Sequence, residues 1–162
     1  MWAITPRLVD EVWREIVGYP PDRVQAEAEA FLAQQPHVAA FAHTVTERFD
    51  EAVQNAAVGL GFLLFKILEA SVGGPFPAVA EARIRTAHEA VAEWLAQWEG
   101  ADARTLLQSV EGEGHHSLIT HMLSVFYAGD AQSPAYDEEV KARLFVLLKT
   151  LTEAVDLGEV ET

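Results

Sequence analysis

Residues 37–71 read HVAAFAHTVTERFDEAVQNAAVGLGFLLFKILEAS, and the fold turns on how they are placed. No proline interrupts these 35 residues, and from Val53 to Leu68 the only charged side chain is Lys66. Val38, Phe41, Val45, Phe49, Val53, Ala56, Leu60, Leu63, Leu64 and Ile67 recur at three- and four-residue spacing, the period of a helix with one apolar face. Exposing side chains this apolar to water costs free energy, so the stretch is expected to be a central helix around which the rest of the chain packs. A membrane span needs about 20 consecutive apolar residues. The uninterrupted run here, Ala56 to Phe65, has ten, and Glu47, Arg48, Asp50 and Glu51 lie just upstream. A buried helix of a soluble protein is therefore expected, with no membrane partner.

Gly59 and Gly61 interrupt the apolar run. They are not a phosphate loop, because no G-K-[ST] follows and no strand precedes. A glycine costs about 1 kcal/mol against alanine in a helix interior, so each needs a reason. The expected reason is close helix–helix contact, or a kink dividing the central helix at Gly59/Gly61; a groove where a ligand nears the backbone is the sharper alternative.

Working outward, nearly every other segment has helical period. Thr5 and Pro6 are placed as cap and first residue of a helix whose stripe is Leu8, Val9, Val12, Trp13, Ile16 and Val17, with Gly18 at its end. After Pro20-Pro21, Asp22 and Gln25 have the spacing of a capping box for a second helix, with Val24, Ala28, Phe31 and Leu32 facing inward. Gly73-Gly74-Pro75-Phe76-Pro77 is the clearest break. Beyond it, Ile84, Ala87, Val91, Trp94 and Leu95 mark a third amphipathic segment reaching Glu99, and Glu81, Arg85 and Glu89 lie four apart on its outer side. Asp102 is placed to cap a short helix, and a further helix is expected from about His115 to Tyr127. The last covers about Asp137 to Asp156, burying Val140, Leu144, Leu147, Leu148, Leu151 and Val155 and ending at Gly158. Asp137, Glu138 and Glu139 fall in its first turn, where carboxylates complement the helix dipole. No alternating strand pattern occurs. The expectation is an all-α, single-domain bundle, residues 1–162, of six to seven helices around the central one.

Composition narrows the function classes. The net charge of −14 is distributed along the 162 residues, not held in a tail. Distributed acidity keeps a protein soluble, and it argues against nucleic acid and anionic membranes, which require a basic face. Without cysteine there is no disulfide framework and no thiol chemistry. The N-terminus leads into a charged amphipathic helix, not a signal core, so the cytoplasm is expected.

The histidines are the chemical handles. Glu113-Gly114-His115-His116 holds one Glu-x-x-His, but carboxylate-bridged bundle sites need two such motifs and two further glutamates. A simpler divalent-metal site drawn from Glu113, His115, His116 and His121, with Glu111 beside them, is the metal candidate; His116 and His121 are five apart and so not on one helix face. His43 and Glu47 are spaced for a contact along one helix turn. His88 flanks the Ile84–Leu95 stripe and is expected partly buried. Lys66, with Glu69 three residues on, is expected to reach its charge out to solvent along an apolar stem. Ser109, Ser117 and Ser124 lack the G-x-S-x-G elbow of a hydrolase nucleophile. Trp2, Trp98 and Tyr127 are candidate interface anchors, residue types that dominate binding hot spots, whereas Trp13 and Trp94 are expected to fill core.

These observations lean away from an enzyme. The first expectation is a non-enzymatic helical interaction or regulatory protein that self-associates as a homodimer, with no cofactor. The alternative is a metal- or small-ligand-binding helical protein using the Glu111–His121 region, with a divalent metal. A further alternative is an acidic regulator of the antitoxin or immunity type.

Overall fold

The computed structural model describes residues 5–96, 119, 121–124 and 138–160. The described residues form helices and connecting turns, with no strand among them: α1 Pro6–Val17, α2 Pro21–Gln34, α3 Pro36–Val45, α4 Glu51–Val72, α5 Glu81–Ala96 and α6 Glu138–Val160. Residues 121–124 are also helical. The fold is all-α, as the periodicity predicts.

α1 begins and ends where its sequence says. The Thr5 hydroxyl accepts from the Leu8 N–H at 3.2 Å, Pro6 fills a position that has no intrahelical partner for an N–H, and Gly18 closes the last turn onto the Arg14, Glu15 and Ile16 carbonyls. α2 starts two residues earlier than the capping-box reading implies. Pro20 occupies the cap position without a side-chain bond, Pro21 pre-sets the first helical φ, and Asp22 falls inside the first turn. Gln25 is then free to bond Glu29 along the helix, at 3.3 Å.

The central helix is present, and its lower boundary differs from the expectation. Residues 37–71 are two helices, and the break lies at residues 46–50, not at Gly59/Gly61, which α4 runs through continuously. The buried Thr46 hydroxyl donates back to the Ala42 carbonyl at 2.7 Å, and the Asp50 carboxylate accepts from the Val53 N–H at 3.1 Å, which starts a new helix. Gln54 donates to the Glu47 and Phe49 carbonyls, so the turn's acceptors are satisfied without helix. Because α3 ends at Val45, His43 and Glu47 do not share a helix face, and both are exposed.

α4 carries the core. Val53, Ala57, Leu60, Gly61, Leu63, Leu64, Phe65, Ile67 and Leu68 are all buried, a face wide enough to be covered from several sides. α1, α3 and α6 pack on it, α5 packs on α6 and α3, and Ile119, Met122 and Leu123 join the same cluster. By length and composition α4 is also long and apolar enough to cross a membrane, alone among the described helices; 44% of its apolar window is buried within the protein. α6 buries all six residues expected of it and continues through Gly158 to Val160. Trp94 packs against the core with its ring 6.1 Å from that of Phe145, as core filling requires, and Lys149 Nζ sits 4.7 Å over the same indole.

α4 ends at Gly73, whose φ of +78° is a left-handed conformation that glycine adopts without a Cβ clash. The following segment, residues 75–80, has no helical bonds of its own and is held by Gln35, which is 2% exposed. Gln35 Nε2 donates to the carbonyls of Phe76 (3.3 Å) and Pro77 (2.8 Å), and its Oε1 accepts from the Val79 N–H (2.9 Å). One side chain between α2 and α3 therefore anchors the crossing from α4 to α5.

Candidate functional site

The helix that is least covered is α2. Phe31 is its only buried residue, and Glu27 is half-buried. The stripe predicted to face inward is only partly so: Val24, Ala28 and Leu32 lie at i, i+4 and i+8, form a single ridge, and are exposed. Among the described residues the exposed large apolar side chains are Val17 (66%), Val24 (47%), Leu32 (46%) and Val72 (50%). Two lie on α2 and the others at the ends of α1 and α4.

The adjoining face of α2 closes a cleft against α4. Glu27 and Phe31 from α2, and Phe62, Phe65, Lys66 and Glu69 from α4, line a cavity of about 190 Å³, with Phe76 beneath. The aromatic floor is interlocked: Phe31 meets Phe62 edge-on with centroids 5.8 Å apart, and Phe65 meets Phe76 edge-on at 5.6 Å. A second hollow of about 400 Å³ adjoins it, lined by Val12, Glu15, Tyr19, Arg23 and the Gly73-Gly74 turn, and shares Lys66 and Glu69.

Lys66 is the pivot between the two. Its ammonium pairs with Glu27 and lies 3.6 Å from Glu69 and 5.7 Å over the Phe62 ring. Only 23% of its side chain is exposed, so it is not the solvent-reaching lysine that its sequence context suggests. Arg23 lies 3.8 Å from both Glu15 and Glu27 and stacks 4.0 Å over the Tyr19 ring.

Two titrations are displaced here, in the same direction. Burial by itself pushes the Lys66 ammonium down, but the Glu27 hydrogen bond and the charges of Glu27 and Glu69 together outweigh it, and the group sits above its ordinary 10.5. Burial raises the Tyr19 hydroxyl above 10.0, with the Lys66 charge opposing. A folded-state pKa above the unfolded one means the native state holds its proton longer. The stabilisation is complete below pH 10.0 and is lost as pH rises through the folded values. Urea midpoints measured from about pH 8 to about pH 11 should therefore fall, and Lys66→Arg, which cannot titrate there, together with Tyr19→Phe should flatten that fall. An equal fall in the double variant would remove the cluster as its source.

Of the metal candidates, His121 is described: it is half-buried, with Nε2 2.7 Å from the Asp10 carboxylate of α1. Glu113, His115 and His116 lie outside the described residues, as do the interface candidates Trp2, Trp98 and Tyr127. Among the described residues no group of three or more histidine or carboxylate side chains converges as metal ligands would. His88 is half-buried and meets Phe41 edge-on at 5.2 Å.

The sequence offers one hint of the cleft, the Lys66–Glu69 spacing. Glu27, Tyr19 and Arg23 are supplied by segments about 40 residues away and carry no local signal. Comparison with family models, curated proteins and solved structures returns no match to this chain.

Proposed function

We propose that this chain is a non-enzymatic interaction protein that self-associates as a homodimer through α2. The observation that carries the reading is that two of the four exposed large apolar side chains among the described residues, Val24 and Leu32, lie on one ridge of that helix. Exposed apolar surface gathered in one place favours removal from water by a partner.

A second copy suits the ridge better than an unrelated surface does. Val24, Ala28 and Leu32 are uncharged, and two such i±4 ridges interdigitate about a two-fold axis. Ala28 at the centre lets the two helix axes approach. Gln25 donates to Glu29 beside the ridge, in an exposed bond that keeps these polar groups at its edge. A contact built on one helix buries less than the ~800 Å² per partner of a standard interface, so micromolar dissociation is expected. Two copies each at −14 repel, so added salt should strengthen the dimer.

Sedimentation equilibrium tests this directly. The wild-type chain should show twice the monomer mass at high concentration, with a dissociation constant that tightens as salt is raised. Val24→Glu with Leu32→Glu should leave a folded monomer. A wild-type monomer throughout, or a double variant that still dimerises, would overturn the proposal.

A further inference from the structure

The cleft beside that ridge, between α2 and α4, is shaped and charged for something the ridge is not. Its cavity of about 190 Å³ exceeds the ~150 Å³ that holds one benzene ring in an engineered protein core. Its floor is aromatic, and ring faces attract positive charge. Its lining carries Glu27 and Glu69 against Lys66, one more negative charge than positive.

The carboxylates are unequally engaged. Glu27 receives Lys66 and, at 3.8 Å, Arg23, whereas Glu69 has Lys66 at 3.6 Å. Glu69 is thus the acceptor with spare capacity, at the mouth of an aromatic hollow. We propose that the cleft between α2 and α4 binds a small organic cation with a single ring-sized apolar body, its amine held by Glu69 and its body on Phe31, Phe62 and Phe65.

The electrostatics choose the sign of the ligand. An incoming ammonium brings the rim to neutrality, whereas a carboxylate would add a third partner to compete for Lys66 among glutamates already there. The carboxylates here already hold one buried cation: desolvation pushes the Lys66 ammonium down, and the Glu27 hydrogen bond with the charges of Glu27 and Glu69 outweighs it. The whole chain, at −14, also draws cations toward it. Glu27 and Phe31 lie on the face of α2 next to the Val24–Ala28–Leu32 ridge, and the Val24→Glu with Leu32→Glu variant, which keeps every residue of the cleft lining, shows whether the site binds without the dimer.

The test is a nitrogen–proton correlation titration of the full chain with three isosteric probes: benzylammonium, benzyl alcohol and benzoate. Benzylammonium should bind in the millimolar range expected of so small a ligand, about tenfold more tightly than either other probe, with shifts centred on residues 27–31 and 62–69. Glu69→Gln should weaken it about fivefold or more, while Glu29→Gln, a carboxylate outside the cleft, should not. Ala30→Phe, which fills the hollow from its exposed rim and keeps every carboxylate, should abolish binding while leaving the thermal midpoint near wild type. The proposal is overturned by benzoate binding as tightly as benzylammonium, by shifts that map elsewhere, by indifference to Glu69→Gln in a folded variant, or by no binding at ~10 mM probe.

Discussion

Gln35→Leu is expected to destabilise the protein by about 2–4 kcal/mol, because the leucine leaves the buried Val79 N–H and the part-buried Pro77 carbonyl without their partner. Each orphaned buried group costs about 1–3 kcal/mol, and a domain of this kind has about 5–15 kcal/mol in total. The Phe76 carbonyl retains a bond from Gln34 at 3.1 Å, which keeps the loss from being larger. Gln34→Ala is the internal control. Gln34 is exposed and Gln35 still serves Phe76, so a loss of about 0.5–1 kcal/mol is expected. Urea unfolding of the two variants measures the contrast directly, and a Gln35→Leu loss below about 1 kcal/mol would show that water or a relaxed backbone replaces the staple. The effect reaches the cleft as well. Gln35 fixes the segment that places Phe76 under Phe65, so the variant should also bind benzylammonium more weakly, even where it remains folded.

The staple illustrates where local sequence stops being informative. α1 was legible to the residue, because its cap, its first-turn proline and its terminal glycine act on their immediate neighbours. α6 was legible in its buried face because that face has a strict helical period. The break at residues 46–50 was not, since Val45, Phe49 and Val53 keep helical spacing across it; the available signal was Asp50, a strong cap residue, followed three positions on by the N–H it accepts. α2 was misjudged for a different reason. Its stripe is apolar, but periodicity states only that a face wants cover, not that this chain supplies it. Long-range pairs were beyond local reasoning altogether. Gln35 looks like an ordinary residue before a proline, and Lys66 points to Glu69 in the sequence while its closest partner is Glu27, 39 residues earlier. The candidate site thus consists largely of contacts that only the packed helices create.

Gly61 joins these levels, and two substitutions there should act in opposite directions. A Cβ built on Gly61 would lie 3.5 Å from Phe31 Cζ and 3.5 Å from Val38 Cγ1, ordinary van der Waals contact with α2 and α3. Gly61→Ala therefore adds a buried methyl without displacement and removes the backbone entropy penalty of glycine, a gain of about 0.5–1 kcal/mol. Gly61→Leu has no such room. Its extra carbons enter a seam already filled by Phe31 and Val38, and overpacking of this kind costs about 1–3 kcal/mol. Phe31 is the one buried residue of α2, so the strain falls where that helix is anchored, and a net loss of about 2–3 kcal/mol is expected. Chemical denaturation of both variants decides between close packing and a permissive hinge. If close approach is why Gly61 is small, alanine raises the midpoint and leucine lowers it, and only leucine disturbs dimerisation and benzylammonium binding, because both depend on how α2 sits. Were both variants to lose stability equally, the helix would need glycine for its backbone freedom, and the continuous α4 that organises this fold would have to bend at that point in solution.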